Sequence, residues 1–61
     1  MKLVAFKDPY GNYVHINPEH IVSIRPPRVG EYVDGVYAVI SLGVRELGVG
    51  EMVDDVVARL K

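Results

Sequence analysis

The sequence predicts a small α+β domain, in which an antiparallel β-sheet or open barrel of four to five strands is followed by one C-terminal α-helix. Short apolar stretches alternate with turn sequences over residues 2–49, a pattern typical of strands joined by hairpins. Only residues 51–61 repeat apolar side chains at helical spacing. With 61 residues in all, the chain is expected to form a single domain spanning residues 1–61.

A first hairpin is predicted near the start of the chain. Residues 2–7 form its first strand, residues 8–12 its turn and residues 13–16 its second strand. The turn contains a proline, which presets φ, followed by a glycine and an asparagine, which tolerate positive φ. Apolar and polar residues alternate in the second strand, so Val14 and Ile16 are expected to face the core.

The middle of the chain contains two breaks with a strand between them. A single helical turn is predicted at Pro18–His20, because an Asn-Pro pair favours the start of a turn. Residues 21–25 form the third strand, with Val22 and Ile24 on one face. Residues 26–35 are expected to be irregular, because two prolines do not fit a central strand. Their closing Asp-Gly pair is typical of a tight turn.

The most strongly apolar strand is predicted at residues 36–42. Its even-numbered members form one continuous apolar face for the core: Val36, Ala38, Ile40 and Leu42. Tyr37 and Val39 lie on the opposite face, which would attract a second chain if it is uncovered. The alternative is a closed five-stranded barrel in which both faces are covered. Residues 44–49 provide the last strand.

The only helix is predicted at residues 51–61. Its apolar face repeats at positions i, i+3, i+4 and i+7, through Val53, Val56, Val57 and Leu60. Valines lower helix propensity, so this helix is expected to depend on the sheet. A serine at position 52 would cap the helix, whereas methionine cannot. Met52 therefore either replaces a natural polar residue or is native and packs against the sheet.

Composition narrows the classes of function. The net charge is −1 and the isoelectric point is near 6.0, which argues against a nucleic-acid partner. There is no cysteine, hence no disulfide or thiolate metal site, and no cofactor is expected. No apolar run is long enough to enter a membrane. The Met-Lys start has no leader-like features, so a cytoplasmic location is expected.

Self-association is expected from the size of the chain. A domain of this length buries only about 60% of the surface that its unfolded chain exposes, yet 49% of its residues are hydrophobic. Catalysis is not expected. Ser23 and Ser41 lie within predicted strands, and neither follows a nucleophile-elbow pattern. Asp54 and Asp55 are adjacent on the helix and point about 100° apart. The two histidines are interpreted as exposed strand and turn residues.

The best binding candidate is the segment of residues 25–32, which contains two arginines, two prolines and a tyrosine. Arginine and tyrosine are enriched at binding hot spots, and prolines reduce the entropy lost on binding. With two tyrosines of the first hairpin, the predicted site comprises Arg25, Arg28, Tyr32, Tyr10 and Tyr13. It would contact a protein partner or, alternatively, a nucleotide or nucleic acid by stacking. The remaining interpretation is a solvated connection.

The order of these features resembles the FlbD/SwrD family of small flagellar and swarming-motility proteins. The similarity lies in an opening strand with a glycine turn, in the Ile-Asn-Pro-Glu-His-Ile-Val-Ser-Ile stretch of residues 16–24, and in residues 49–56 at the start of the last helix. Two features depart from the family pattern: residues 26–34 are long and proline-rich, and Met52 occupies a serine position. The resemblance implies a small bacterial or phage-borne accessory protein that acts through contacts and has no catalytic residues.

Overall fold

The computed structural model describes residues 2–61 and confirms the predicted α+β class. In chain order, the elements are β1 (Val4–Lys7), β2 (Tyr13–Ile16), a 3-10 helix (Pro18–His20), β3 (Ser23–Arg25), β4 (Ala38–Ser41), β5 (Glu46–Val49) and α1 (Val53–Arg59). The strands form two antiparallel sheets, one of β1 and β2 and one in the order β3-β4-β5. The closed-barrel alternative is therefore wrong. Among residues 2–61, no helix has the length and apolar character needed to cross a membrane.

The first hairpin forms as predicted, because its turn is held by one side chain. Oδ1 of Asp8 accepts hydrogen bonds from the backbone N–H groups of Tyr10 (2.9 Å) and Asn12 (2.8 Å). This is an Asx turn, in which a short side chain replaces a backbone acceptor. In the returning strand Ile16 is buried and Val14 is partly buried, which confirms the predicted inward face.

One face of the three-stranded sheet forms the core together with the hairpin and the helix. Ile40 of β4 pairs with Ile24 of β3 and Leu47 of β5, and residues paired across antiparallel strands point to the same face. The cluster beneath this face consists of Phe6, Ile16, Ala38, Ile40, Val49 and Val56. The predicted apolar face of the fourth strand is therefore confirmed for Ala38, Ile40 and Leu42. Val36 departs from it: it precedes β4 and packs at Gly48, on the opposite face of the sheet.

The third strand differs from its prediction. Val22 is 71% exposed, whereas Ile21 packs against the core. The reason is that the 3-10 helix holds Ile21, whose N–H donates to the carbonyl of Pro18 (3.2 Å). Regular alternation therefore begins only at Ser23, and the inward residues are Ile21 and Ile24.

The opposite face of the sheet is also covered, so the condition under which it would attract a second chain is not met. Val39 is fully buried, and its pairing partners on that face are Arg25 and Gly48. A Cβ atom placed on Gly48 would lie 3.0 Å from Cγ1 of Val36 and 3.2 Å from Cδ1 of Tyr32. The connection between β3 and β4 therefore folds back over this face, and Val39 is not available for self-association.

The helix packs through a narrower apolar face than predicted. Val56 is fully buried, and Val53 and Leu60 are partly buried against the core, but Val57 is 37% exposed. Met52 occupies the N-cap position without a side-chain hydrogen bond. It is 57% exposed, so its side chain contributes surface rather than core.

Arg59 joins the helix to the first strand. Its guanidinium lies 4.9 Å from the centre of the Phe6 ring, and it donates to the carbonyl of Ala5 and to the carboxylate of Glu51 (2.7 Å). Glu51 also accepts the backbone N–H of Lys7 (3.1 Å). Burial raises the pKa of Glu51, but these hydrogen bonds outweigh it and leave the pKa lowered.

Candidate binding site

A groove of about 620 Å³ lies between the hairpin and β5, where the two sheets do not close into a barrel. We call it the tyrosine groove. Its lining includes Tyr10 from the hairpin turn, Tyr32 from the connection between β3 and β4, and apolar residues such as Val36 and Leu47. The groove is therefore an open seam of the β-structure that is lined by aromatic and aliphatic side chains.

The two tyrosines of the groove are positioned in different ways, Tyr10 through its backbone and Tyr32 through its ring. Tyr10 follows Asp8 in the Asx turn and remains 73% exposed. Tyr32 is half-buried and rests on β5 at Gly48, where its ring carbon is 3.2 Å from the position that a Cβ would occupy. The absence of a side chain at Gly48 thus makes room for the aromatic ring.

The loop that carries Tyr32 is held by an ion-pair cluster, which we call the arginine–glutamate cluster (Arg25, Arg28, Glu31 and Glu46). Arg25 donates from Nη1 and Nη2 to the two carboxylate oxygens of Glu31, at 2.9 and 2.7 Å. Its Nη2 also contacts Glu46 on β5 at 3.1 Å. Such two-pronged pairing is the strongest form of an arginine–carboxylate contact.

The cluster changes the protonation chemistry of its members. The Arg25 side chain, followed by the backbone N–H of Arg28 at 3.0 Å, lowers the pKa of Glu31 to about 2. Hydrogen bonds to Glu31 and then Glu46 raise the pKa of Arg25. These groups remain ionised at neutral pH and serve to fasten the loop to the sheet.

The structure brings together two of the five predicted site residues. Tyr10 and Tyr32 line the tyrosine groove. Arg25 is engaged by two carboxylates beneath the loop. Arg28 is 77% exposed and lines a neighbouring depression with Tyr32. Tyr13 is 62% exposed on the solvent-facing side of β2, and it is not part of the groove lining.

Several lining residues escaped the sequence reasoning. Asp8 was assigned only to a turn, although the Asx-turn pattern also places its carboxylate beside Tyr10. Leu47 and Gly48 were assigned only to a strand, and nothing local to them indicates a groove. The pairing of Arg25 with Glu46 joins positions 21 residues apart, so it has no signature at short sequence spacing.

The charge of the groove is acidic. Of the described residues that line it, the charged ones are Asp8 and Glu31, and neither is matched there by a lysine or arginine of the lining. Glu31 is neutralised by Arg25 behind the loop. Asp8 has no ion pair within residues 2–61. The groove thus favours an apolar or cationic ligand over a phosphate.

A separate, smaller depression of about 330 Å³ lies near the start of the helix. We call it the Tyr37 patch; it is formed by Pro26, Tyr37, Met52, Val53 and Asp54. Tyr37 is 53% exposed, although it directly precedes the buried strand β4. Four of these five residues present apolar or aromatic surface to solvent.

Comparisons with protein-family models, with curated proteins and with solved structures each found no match to this chain. The resemblance to the FlbD/SwrD family therefore stays a prediction. Within residues 2–61, no group of three or more histidine, aspartate or glutamate side chains is placed to hold a metal ion.

Proposed function

We propose that this chain is a small, non-enzymatic accessory protein, bacterial or phage-borne, that acts through protein contacts, including contacts with a second copy of itself. The observation that carries the proposal is the Tyr37 patch. Its Tyr37 and Met52 belong to residue types that are enriched at protein interfaces, and both are more than half exposed. The resemblance to small flagellar accessory proteins agrees with this role.

The chemistry of the ionisable groups supports a non-enzymatic role. The groups whose pKa is displaced are Arg25, Glu31 and Glu51. Each is displaced by contacts that join two elements of the fold, which is the structural cause of such shifts rather than the catalytic one. Arg25 fastens the long loop to the sheet, and Glu51 fastens the helix to β1.

A second copy is the partner that best suits the Tyr37 patch. An apolar patch is complementary to itself, and a two-fold dimer places the same surface of each subunit at the interface. A standard interface buries about 800 Å² per partner, whereas the whole described surface is 4309 Å². The interface must therefore extend beyond the patch, and we expect a dimer that dissociates on dilution.

Sedimentation velocity over a concentration series tests this proposal, and Met52→Ser is the decisive variant. Serine removes an exposed apolar side chain and supplies the missing N-cap, which adds about 1 kcal/mol of stability. We expect the wild type to shift from monomer to dimer as its concentration rises, and Met52→Ser to remain monomeric. Because the variant is expected to be the more stable protein, loss of the dimer cannot be attributed to unfolding.

Val44→Ser is the matched control, because Val44 is 96% exposed in the turn between β4 and β5, outside the patch. Its dimerisation should equal that of the wild type. A wild type that stays monomeric at every concentration would refute self-association. A Met52→Ser variant that dimerises as the wild type does would exclude the Tyr37 patch as the interface.

The alternative function, binding of a nucleotide or nucleic acid, has weaker support in the geometry. Binding of a phosphate group needs an unpaired cation, but Arg25 of the predicted site is already engaged by two glutamates. Tyr10 and Tyr32 share their groove with Asp8, whose carboxylate has no ion pair within residues 2–61 and repels phosphate.

A further inference from the structure

We propose that the tyrosine groove binds an extended, proline-containing segment of a partner protein and that Asp8 pairs with a lysine or arginine of that segment. The groove shares no residue with the Tyr37 patch. The inference therefore goes beyond self-association, and the two proposals can fail independently.

The shape and composition of the groove support an extended ligand. Tyr10 and Tyr32 face a channel whose other lining residues include Pro9 and the aliphatic side chains of Val36 and Leu47. Proline-rich segments adopt the polyproline II conformation without internal hydrogen bonds. Such segments dock in grooves lined by aromatic side chains, because little conformational entropy is lost on binding.

The carboxylate of Asp8 favours a ligand that carries a lysine or arginine. Oδ1 of Asp8 accepts the N–H groups of Tyr10 and Asn12, which fixes the carboxylate in the lining of the groove, and no ion pair within residues 2–61 neutralises it. Glu31, the other carboxylate of the lining, is already neutralised by Arg25. A single lysine or arginine of the ligand, placed near Tyr10, therefore neutralises the one carboxylate among the described groove residues that has no ion pair.

The walls of the groove are set before any ligand arrives. The Asx turn fixes the backbone at Tyr10, the contact with Gly48 supports the Tyr32 ring, and the bidentate pair of Arg25 with Glu31 fastens the loop. A pre-organised site loses less entropy when it binds, so more of the contact energy appears as affinity.

The test is a titration of the ¹⁵N-labelled full chain, observed by NMR, with a peptide of four Pro-Pro-Arg repeats. Two comparison ligands accompany it: the same peptide with glutamate in place of arginine, and an oligothymidylate. We expect saturable shifts at Tyr10, Tyr32 and Gly48 with the arginine peptide. Binding of the glutamate peptide and of the oligonucleotide should be at least about tenfold weaker, a difference of about 1.4 kcal/mol.

Two variants locate the contacts. Asp8→Asn keeps the side-chain oxygen that holds the turn and removes the charge, so it should weaken binding of the arginine peptide about tenfold. Tyr10→Ala should weaken it by a similar factor, because an exposed ring is removed from the groove wall. Tyr13→Ala is the matched control, since this tyrosine is also exposed on the hairpin but lies outside the groove; its affinity should be unchanged.

Three outcomes would overturn the proposal. Equal affinity for the arginine and glutamate peptides would show that Asp8 does not pair with a cation of the ligand. Absence of saturable shifts, or shifts centred on Tyr13, would remove the groove as the site. Tighter binding of the oligonucleotide at Tyr10 and Tyr32 would replace the peptide with a nucleic acid. None of these results depends on whether Met52→Ser abolishes dimerisation.

Discussion

The two faces of the three-stranded sheet are equally buried but are covered by different means. Ile40 points to the face packed by the hairpin and the helix, and Val39 points to the face under the long loop; both side chains are fully buried. The face of Ile40 is covered by the hairpin and the helix, which are regular elements that contribute apolar side chains. The face of Val39 is covered by irregular chain, fastened by the arginine–glutamate cluster.

The difference shows that burial and regularity are separate properties in a small domain. A regular element brings an apolar face whose spacing is set by its own geometry. An irregular loop has no such face, so it needs individual fastenings: Arg25 to Glu31, and Tyr32 on Gly48. Substitutions on the two sides should therefore differ in how much free energy of unfolding they cost, in which contacts they disturb and in whether their effect depends on pH.

The largest effect is expected for Ile40→Ala. The substitution leaves a cavity between the sheet, the hairpin and the helix, and such cavities reduce the free energy of unfolding by about 2–5 kcal/mol. For a chain of this size, that is much of the total stability. Chemical denaturation followed by circular dichroism measures it. A loss below about 1 kcal/mol would show that this face is loosely packed.

Val39→Ala should come next, with a loss of about 2 kcal/mol, because two methyl groups are removed from a fully buried site. The same denaturation measurement applies, and the solvent-exposed Val44→Ala serves as its control. A loss close to zero would mean that the loop leaves Val39 accessible to water, and the two faces would then differ in burial as well as in cover.

Gly48→Ala probes the contact between loop and sheet and should cost about 1 kcal/mol. The new methyl group would lie 3.0 Å from Cγ1 of Val36 and 3.2 Å from the Tyr32 ring, and overpacking of this kind is destabilising. Alanine also reduces the entropy of the unfolded chain, which offsets part of the loss. NMR shifts should change at Tyr32 and Val36; a stabilised variant with unchanged shifts would contradict this packing.

Glu31→Gln should have the smallest effect and the clearest pH dependence. Its pKa is lowered to about 2 from an ordinary 4.5, so the folded state binds the proton less tightly than the unfolded state. The stabilisation is complete above about pH 4.5 and is lost as the pH falls towards 2. The stability difference between wild type and Glu31→Gln should shrink over that window.

Thermal unfolding at several pH values measures this difference. Glu19→Gln is the control, because Glu19 lies in the 3-10 helix, away from the cluster. The stability difference between Glu19→Gln and the wild type should not shrink between pH 4.5 and pH 2. A gap between wild type and Glu31→Gln that stays constant from pH 5 to pH 2 would show that the ion pair does not hold the loop.

Local patterns were enough to predict much of the regular structure. The hairpin, the single turn at Pro18–His20, the apolar face of β4 and the C-terminal helix all follow from turn chemistry and from spacing within a few residues. The prediction that Val22 faces the core is wrong because the N–H of Ile21 is still hydrogen-bonded to the 3-10 helix, at the carbonyl of Pro18. One residue of shift at the start of a strand exchanges its two faces.

The site was predictable only in part, because its geometry depends on distant pairs. Residues 26–32 lie outside the strands, as predicted, and two of the five predicted site residues, Tyr10 and Tyr32, line the same groove. The burial of Val39 required knowledge that the loop folds back. That path is decided by Glu31 and Glu46, whose pairing with Arg25 has no periodic signal in the sequence.

The ion pair between Arg25 and Glu31 has a further consequence for how the chain finds its fold. Residues 26–37 must close before β3 can meet β4, and closure entropy increases with the length of free chain. The bond between Arg25 and Glu31, which are six residues apart, divides that connection into two short segments, residues 26–30 and 32–37. Pairings between distant strands govern the folding rate of β-proteins. The pair that fastens the finished loop thus also shortens the conformational search by which β3 and β4 come into register.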